Sequence, residues 1–290
     1  MFSLAYKIDI QTANGREVLI NVPDSGLKGN LDPISGVDVD ISTSQSVNQV
    51  GESIDSQTVG GVLRTISGEC LNTAAAKQLL SALPPLTEGR LILNDLYFAE
   101  YVVKKSPYVV RTAGSRNGRT FSLMLYCRKP YWQRLDATQA VLGGFSPAFR
   151  FPVNYSTPHR FGVKNASAFV NVRNDGDFPT TFLAEFKAVG GNVENPVLLN
   201  VITLKKLRFL TTLEAGQTLR VYHDNDHLAV VRVEHQTETD AFAALDDDSG
   251  LFEFAAGDNI LRAGADSGEE SLQCTVSFNA AYMGVYPDDF

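Results

Sequence analysis

The sequence is short of the features that announce most chemistries. Its three cysteines, Cys70, Cys127 and Cys274, are an odd number, widely spaced and set among apolar residues. That pattern argues against a disulfide framework and against a paired zinc or redox motif; small buried thiols are the expected role. The longest apolar runs, such as Leu91–Leu93 and Leu228–Val231, fall far below the roughly 20 residues that a membrane-spanning helix needs. Residues 1–20 show no basic stretch leading into an apolar core, so no secretory signal is read there and folding in a cytoplasm is expected.

Catalytic motifs are equally scarce. There is no GxxxxGK[ST], no GxGxxG behind a strand and no HExxH. Gly144-Phe145-Ser146-Pro147-Ala148 approaches a nucleophile elbow, but it lacks the closing glycine and Pro147 stands where a helix would have to begin. The best metal candidates are His223 and His227 of His223-Asp224-Asn225-Asp226-His227. On a strand they would lie too far apart to share an ion, whereas on a turn they could converge. No second ligand pair accompanies them, so a hairpin turn is the expected reading. Asp246-Asp247-Asp248-Ser249-Gly250 misses the alternate spacing of a calcium loop and reads as a solvated turn. No catalytic, cofactor or metal site is assigned, and the chain is expected not to be an enzyme.

Charge is unevenly spread. Residues 1–140 hold 14 Lys and Arg against 13 Asp and Glu, a balance of +1; residues 141–290 hold 11 against 20, a balance of −9; the sum is the net −8. An acidic half argues against nucleic-acid binding, which needs clustered cations for phosphate. The asymmetry also suggests two domains in different surroundings.

What is present is strand pattern. Residues 4–22 alternate around Asn14-Gly15, a tight-turn dipeptide. Residues 24–60 are polar with little periodicity and too long for an ordinary connection, so a functional arm or loop is expected. Strand pattern resumes over Gly61–Cys70. A single helix is predicted near 73–83: Asn72 or Thr73 can cap it, Ala76, Leu79, Leu80 and Leu83 form one stripe, and Pro84-Pro85 stop it. Strand regions follow at Arg90–Val103 and at Arg111–Cys127, the latter folding around Asn117-Gly118, and Pro130 closes the block.

Residues 134–146 read as a linker ending in Gly143-Gly144. Beyond it, short strands are predicted at 168–174, 181–189, 197–203, 206–211, 217–223, 228–235, 251–255 and 271–284. The last alternates most cleanly, with Leu272, Cys274, Val276, Phe278, Ala280 and Tyr282 on one face. Strands at that spacing without helices predict an antiparallel sandwich. The fold is therefore expected to be mainly β: an N-terminal β-rich domain with one short helix over 1–133, the linker, and a sandwich over 147–290.

Several stretches are similar to one family. Gly61-Val62-Leu63-Arg64-Thr65-Ile66-Ser67-Gly68, the Ala74–Leu83 helix, Arg90–Val103 and Arg119–Trp132 with its proline-aromatic ending resemble the N-terminal domain of siphophage distal tail (Dit) proteins. Phe149-Arg150-Phe151-Pro152, Val170–Thr180, Val193–Asn200, Leu213–Leu219, Leu251–Ile260 and Tyr282–Tyr286 resemble that family's galectin-like β-sandwich. The order of these stretches covers nearly the whole chain, although residues 24–60 are more polar and extended than the family pattern.

The resemblance implies a structural virion protein at the phage tail tip, made in the host cytoplasm and assembled as a homo-hexameric ring. One face of the ring would meet the tail-tube protein and the other the tail-associated hub, fibre or baseplate proteins. The helix, through Ala76, Leu79, Leu80 and Leu83, would make subunit contacts. The alternative is a carbohydrate-binding adhesin whose galectin-like domain attaches to host-surface glycans, with Tyr222, Phe252 or Tyr282 as platforms. Fold alone is a weak warrant for that function.

Overall fold

The computed structural model describes residues 6–111, 118–143, 145–147, 162–164, 169–224 and 227–285. Two compact units divide the chain: one runs to Asp136 and takes the chain back from Ala281, and the other is Ala137–Ala280. The hairpin turn at Asn117 and the stretch Phe149-Arg150-Phe151-Pro152 lie outside the described residues.

The first unit opens with β1 (Ile8–Thr12) and β2 (Glu17–Ile20), turned by Gly15 at φ +76. Then come β3 (Leu27–Asp32), β4 (Val39–Ser44), β5 (Ser53–Val59), β6 (Val62–Cys70) and the helix α1 (Thr73–Ala82). Four further strands follow: β7 (Glu88–Leu93), β8 (Tyr97–Arg111), β9 (Arg119–Cys127) and β10 (Trp132–Arg134). The main sheet is antiparallel in the order β2-β1-β7-β8-β9-β6-β3. Its inner face buries Ile8, Ile10, Ile20, Leu91, Leu93 and Leu123 completely.

The two ends of this sheet are stitched by side chains. Asn21 donates through Nδ2 to the carbonyls of Tyr6 and Gly29, each at 2.8 Å, and accepts from the Gly29 N–H at 3.0 Å. The Tyr6 hydroxyl accepts from the Leu31 N–H at 2.6 Å. These bonds fasten β3 to the β1–β2 hairpin without a continuous ladder, so the backbone polar groups there keep partners.

Helix α1 begins as its sequence predicts. The Asn72 side chain accepts from the Ala75 N–H at 2.7 Å, satisfying one of the amides that a helix start leaves open. The helix packs against β2, β6 and β8, and Leu79 and Leu83 are fully buried there. Burial of each leucine contributes roughly 1.5–3 kcal/mol, more than a ten-residue helix can supply for itself.

One core position of β6 is occupied by a charge. Arg64 shares the inward face of the strand with Ile66 and Cys70 and is 1% exposed. Its Nη1 donates to the Pro33 carbonyl at 2.9 Å and its Nη2 to the Pro130 carbonyl at 2.9 Å. The guanidinium lies 4.1 Å from the centre of the Trp132 ring, while the indole Nε1 donates to the Ile34 carbonyl at 2.6 Å. The charge is thus met by carbonyl dipoles and a π face instead of a carboxylate. It ties residues 33–34 to residues 130–132.

The second unit contains β11 (Thr138–Leu142), β12 (Phe145–Pro147), β13 (Gly162–Lys164), β14 (Val170–Asn174) and β15 (Leu183–Ala188). Next are β16 (Val193–Glu194), β17 (Val197–Asn200), β18 (Lys206–Arg208), β19 (Thr212–Leu213) and β20 (Thr218–Asp224). Then follow β21 (His227–Glu234), β22 (Thr237–Asp240), β23 (Gly257–Gly264) and β24 (Leu272–Phe278). A six-stranded antiparallel sheet has the order β11-β24-β15-β20-β21-β22, and a four-stranded one the order β14-β23-β17-β18. Alternating inward residues of both are buried, with Phe186 against Phe209 and Phe254 against Phe278 at ring distances of 5.5 and 5.2 Å. This is the packing of a sandwich.

The mainly β expectation holds, but several boundaries are corrected. The stretch 134–146 is no simple linker: it carries the end of β10 and all of β11, which pairs with β24 from Thr138 opposite Phe278 to Leu142 opposite Cys274. Residues 251–255 form no strand beyond a bridge at Phe254. The segment 271–284 is not one strand, because β24 ends at Phe278 and β25 (Ala281–Tyr282) pairs with β10 in the first unit. There Tyr282 meets Tyr97 edge-on at 5.9 Å and Val285 joins the core. The chain's last described residues therefore belong to the first unit, not the sandwich.

Trp132 is the only tryptophan, so its fluorescence reports the first unit alone. Arg64→Met is expected to destabilise that unit by roughly 3–5 kcal/mol in urea unfolding followed at Trp132, since it strands buried carbonyls. Arg64→Lys should recover little of the loss, because one ammonium cannot reproduce the planar fork.

Candidate assembly surface

The candidate metal ligands do not converge. His223 on β20 stands opposite Leu228, whereas His227 stands opposite position 224. Adjacent strand positions face opposite ways, so the two imidazoles leave opposite faces of the hairpin. Among the described residues no group of three or more His, Cys, Asp or Glu could hold a metal. In the acidic turn the Asp246 carboxylate accepts from the Asp248 N–H at 3.1 Å, the local geometry of an Asx turn.

The proposed helix contacts also change. Ala76, Leu79 and Leu83 are spent on the core of their own unit, at 5%, 0% and 0% exposure, and only Leu80, at 48%, faces outward. A single apolar stripe covers one surface, and the chain's own sheet has taken it.

Two polar features remain. On the outward face of the six-stranded sheet, Glu185, Lys187, Thr218, Arg220, Gln273 and Thr275 line an open cavity of about 300 Å³. There Arg220 bridges Glu185 at 2.9 Å and Glu238 at 2.7 Å. In the first unit Asp9 is 3% exposed. It accepts from Gln11 Nε2 at 2.8 Å, but its Oδ1 has no partner among the described residues. Burial pushes this carboxyl above its ordinary range, the Gln11 bond acts against that, and Glu17 pushes it up further.

Because the folded carboxyl binds its proton more tightly than the unfolded one, stability rises as pH falls through the folded value and the cost is full above it. Asp9→Asn should therefore stabilise the first unit at neutral pH, with the gain shrinking in acid. Urea midpoints measured at Trp132 across pH check this. Zinc added to the purified chain should leave the melting temperature unchanged, and equally so in His223→Ala.

A further uncovered surface is the arm. β4 and β5 pair only with each other, and every residue of both is exposed. Val39 stands opposite Val59, Ile41 opposite Gln57 and, past a register shift, Thr43 opposite Ile54. Asp40, Ser42 and Ser44 stand opposite Thr58, Ser56 and Ser53 on the other side. The ribbon is thus apolar on one face and hydroxyl-rich on the other, with Val47 and Val50 at the tip 93% and 102% exposed. Its tip is held by its own polar groups: the Ser44 hydroxyl donates to Asp55 at 2.8 Å and the Ser46 N–H to the Gln49 side chain at 3.0 Å.

The arm's root is fixed on both sides. Residues 33–34 are bound by Arg64 and Trp132. At the return, a Cβ on Gly61 would stand 2.7 Å from the Cys127 carbonyl oxygen and 2.6 Å from the Tyr126 hydroxyl, so only glycine lets the backbones approach there. Periodicity could have revealed β4 and β5 through Val39, Ile41, Ile54 and Val59, but the intervening serines and acids masked it.

No family model matches the chain, and no curated protein does. Solved structures do. The SPP1 Dit protein, described as a paradigm of the hub adsorption apparatus in phages infecting Gram-positive bacteria, superposes with a TM-score of 0.66 at 10% identity, over 94% of this chain and 98% of that one. A chain of the phage P2 baseplate in its activated conformation with Ca gives 0.54 at 10% identity, over 97% and 99%. The same baseplate with Sr gives 0.52 at 11%, over 94% and 97%. Likeness that runs through both units and nearly the full length of each partner gives this chain the fold of the phage Dit proteins.

Proposed function

We propose that this chain is a structural subunit of a phage tail tip, a Dit-type hub protein that closes into a hexameric ring. The ring joins the tail tube to the baseplate and host-recognition proteins, and the chain's place is the virion. The observation that carries this reading is the arm, an exposed two-stranded ribbon that pairs with no other strand among the described residues. Such a hairpin is marginal in water by itself, and its open edges and apolar face are what an assembly covers. A head-to-tail interface uses two different surfaces of each copy and yields a ring when the rotation closes. The whole-length fold likeness to a hub protein and to baseplate chains supports the same placement.

Native mass spectrometry of the purified chain tests it: six copies per particle are expected, and a strict monomer at high concentration counts against the hub. A second reading, saccharide binding by the sandwich, is favoured only by the polar cavity around Arg220, with Tyr222 two residues along the same strand. Glycan-array binding that Arg220→Ala abolishes would support it.

A further inference from the structure

The arm's root is touched by a third element besides Arg64 and Trp132. Gly284, two residues past β25, reaches it: a Cβ placed on Gly284 would stand 2.5 Å from the Ser35 Cβ and 3.4 Å from its Cα. Only a residue without a side chain fits against Ser35 at that distance. Gly284 is anchored on both sides. Before it, β25 pairs with β10, Ala281 opposite Gln133 and Tyr282 opposite Trp132, and the Tyr282 ring meets Tyr97 edge-on. After it, Val285 joins the core of the first unit.

Trp132 connects these contacts to the root. Its backbone pairs with Tyr282, its indole Nε1 donates to the Ile34 carbonyl at 2.6 Å, and its ring carries the Arg64 guanidinium at 4.1 Å. Arg64 in turn donates to the Pro33 carbonyl at 2.9 Å. The pairing of β25 and the seating of residues 33–35 therefore belong to one contiguous set of packed and hydrogen-bonded groups.

The weakest member of that set is β25. It is two residues long, the shortest strand of the first unit among the described residues, and Met283 beside it is 49% exposed. Short ladders with exposed flanks are where a structure opens first. The position of β25 in the chain gives this opening a source. Only Asn279 and Ala280 separate it from β24, which lies between β11 and β15 in the six-stranded sheet. Two residues reach about 7 Å at full extension, so a shift of β24 is passed on with little slack.

We infer that Ala281–Val285 is a latch on the arm's root, closed while β25 pairs with β10 and opened by a pull from β24 of the sandwich. Once open, Gly284 no longer backs Ser35 and Trp132 loses the strand beside it, so the ties on residues 33–35 loosen. The arm then moves on its base instead of with it. An order–disorder change in five residues thus gives whatever engages the sandwich a route to the arm. The latch acts inside one copy and stands apart from the ring reading.

A nitroxide on Ser42→Cys, an exposed position of β4, reads the latch in the full chain, because Cys70, Cys127 and Cys274 are buried and buried thiols are inert. In the parent the label should move with the first unit. Gly284→Val should shift its spectrum toward fast local motion, while amide exchange in β7 and β9 keeps the parent's rate. Coupling is reciprocal, so Ile34→Ala at the root should speed exchange at the bonded amide of β25 by at least about fivefold. Deleting Ala280 tests the pull: it should free the label as Gly284→Val does, whereas two glycines inserted there should leave it at the parent's mobility. A label unmoved by Gly284→Val, or a β25 amide unmoved by Ile34→Ala, overturns the latch. Faster exchange across β7 and β9 as well as β25 means the whole unit opens, and overturns it too. A label unmoved by the deletion overturns its control by the sandwich.

Discussion

Arg64 is the constraint on which the first unit's exposed arm depends. A guanidinium on the core side of a strand is costly unless every direction it faces offers compensation. Here residues 33–34 on one side and Pro130 and Trp132 on the other compensate the two Nη groups and the guanidinium face, while Nε has no partner among the described residues. The same contacts that make the charge tolerable hold the chain where the arm leaves and where the domain closes. With its root fixed there and at Gly61, the ribbon leaves a rigid base while its length stays uncovered. A connector between subunits needs that combination, because a mobile root would spend association energy on ordering.

The two units have separate physical characters. The first carries the helix, the main sheet and the fixed arm; the second is an acidic sandwich whose outward sheet face is polar and laced with ion pairs. Exposed ion pairs contribute little to stability, so that face is solvated by default, and its cavity is the feature there that favours a ligand. The proposed ring puts the association surfaces in the first unit and leaves the sandwich for other contacts.

Much of this was legible in the sequence where one rule acted alone. Asn72, the Ala76–Leu83 stripe and Pro84-Pro85 place α1 to within a residue or two, and Leu272–Phe278 alternates as a half-buried strand must. Failures came where tertiary context overrode local pattern. β23 is hidden because Gly257-Asp258-Asn259 has the composition of a turn, yet Asn259 is buried and bonded to the Ala255 backbone in both directions. β11 reads as linker in the sequence because only its pairing with β24 identifies it. The helix stripe can cover one surface, and the core of its own unit takes Ala76, Leu79 and Leu83. Arg64 sat inside a recognised strand, but nothing local says that a cation there faces inward. The arm was seen as unusual from its length and polarity, and its ribbon form emerges only from the pairing of Val39 with Val59 and Ile41 with Gln57.

The central claim is that a rooted arm links copies of this chain into a ring. Cryo-electron microscopy of the purified assembly tests it most directly. The account predicts six-fold averages in which residues 39–59, exposed in the single chain, are covered by a neighbouring subunit. Single copies only, or rings in which that ribbon ends in solvent, would contradict it.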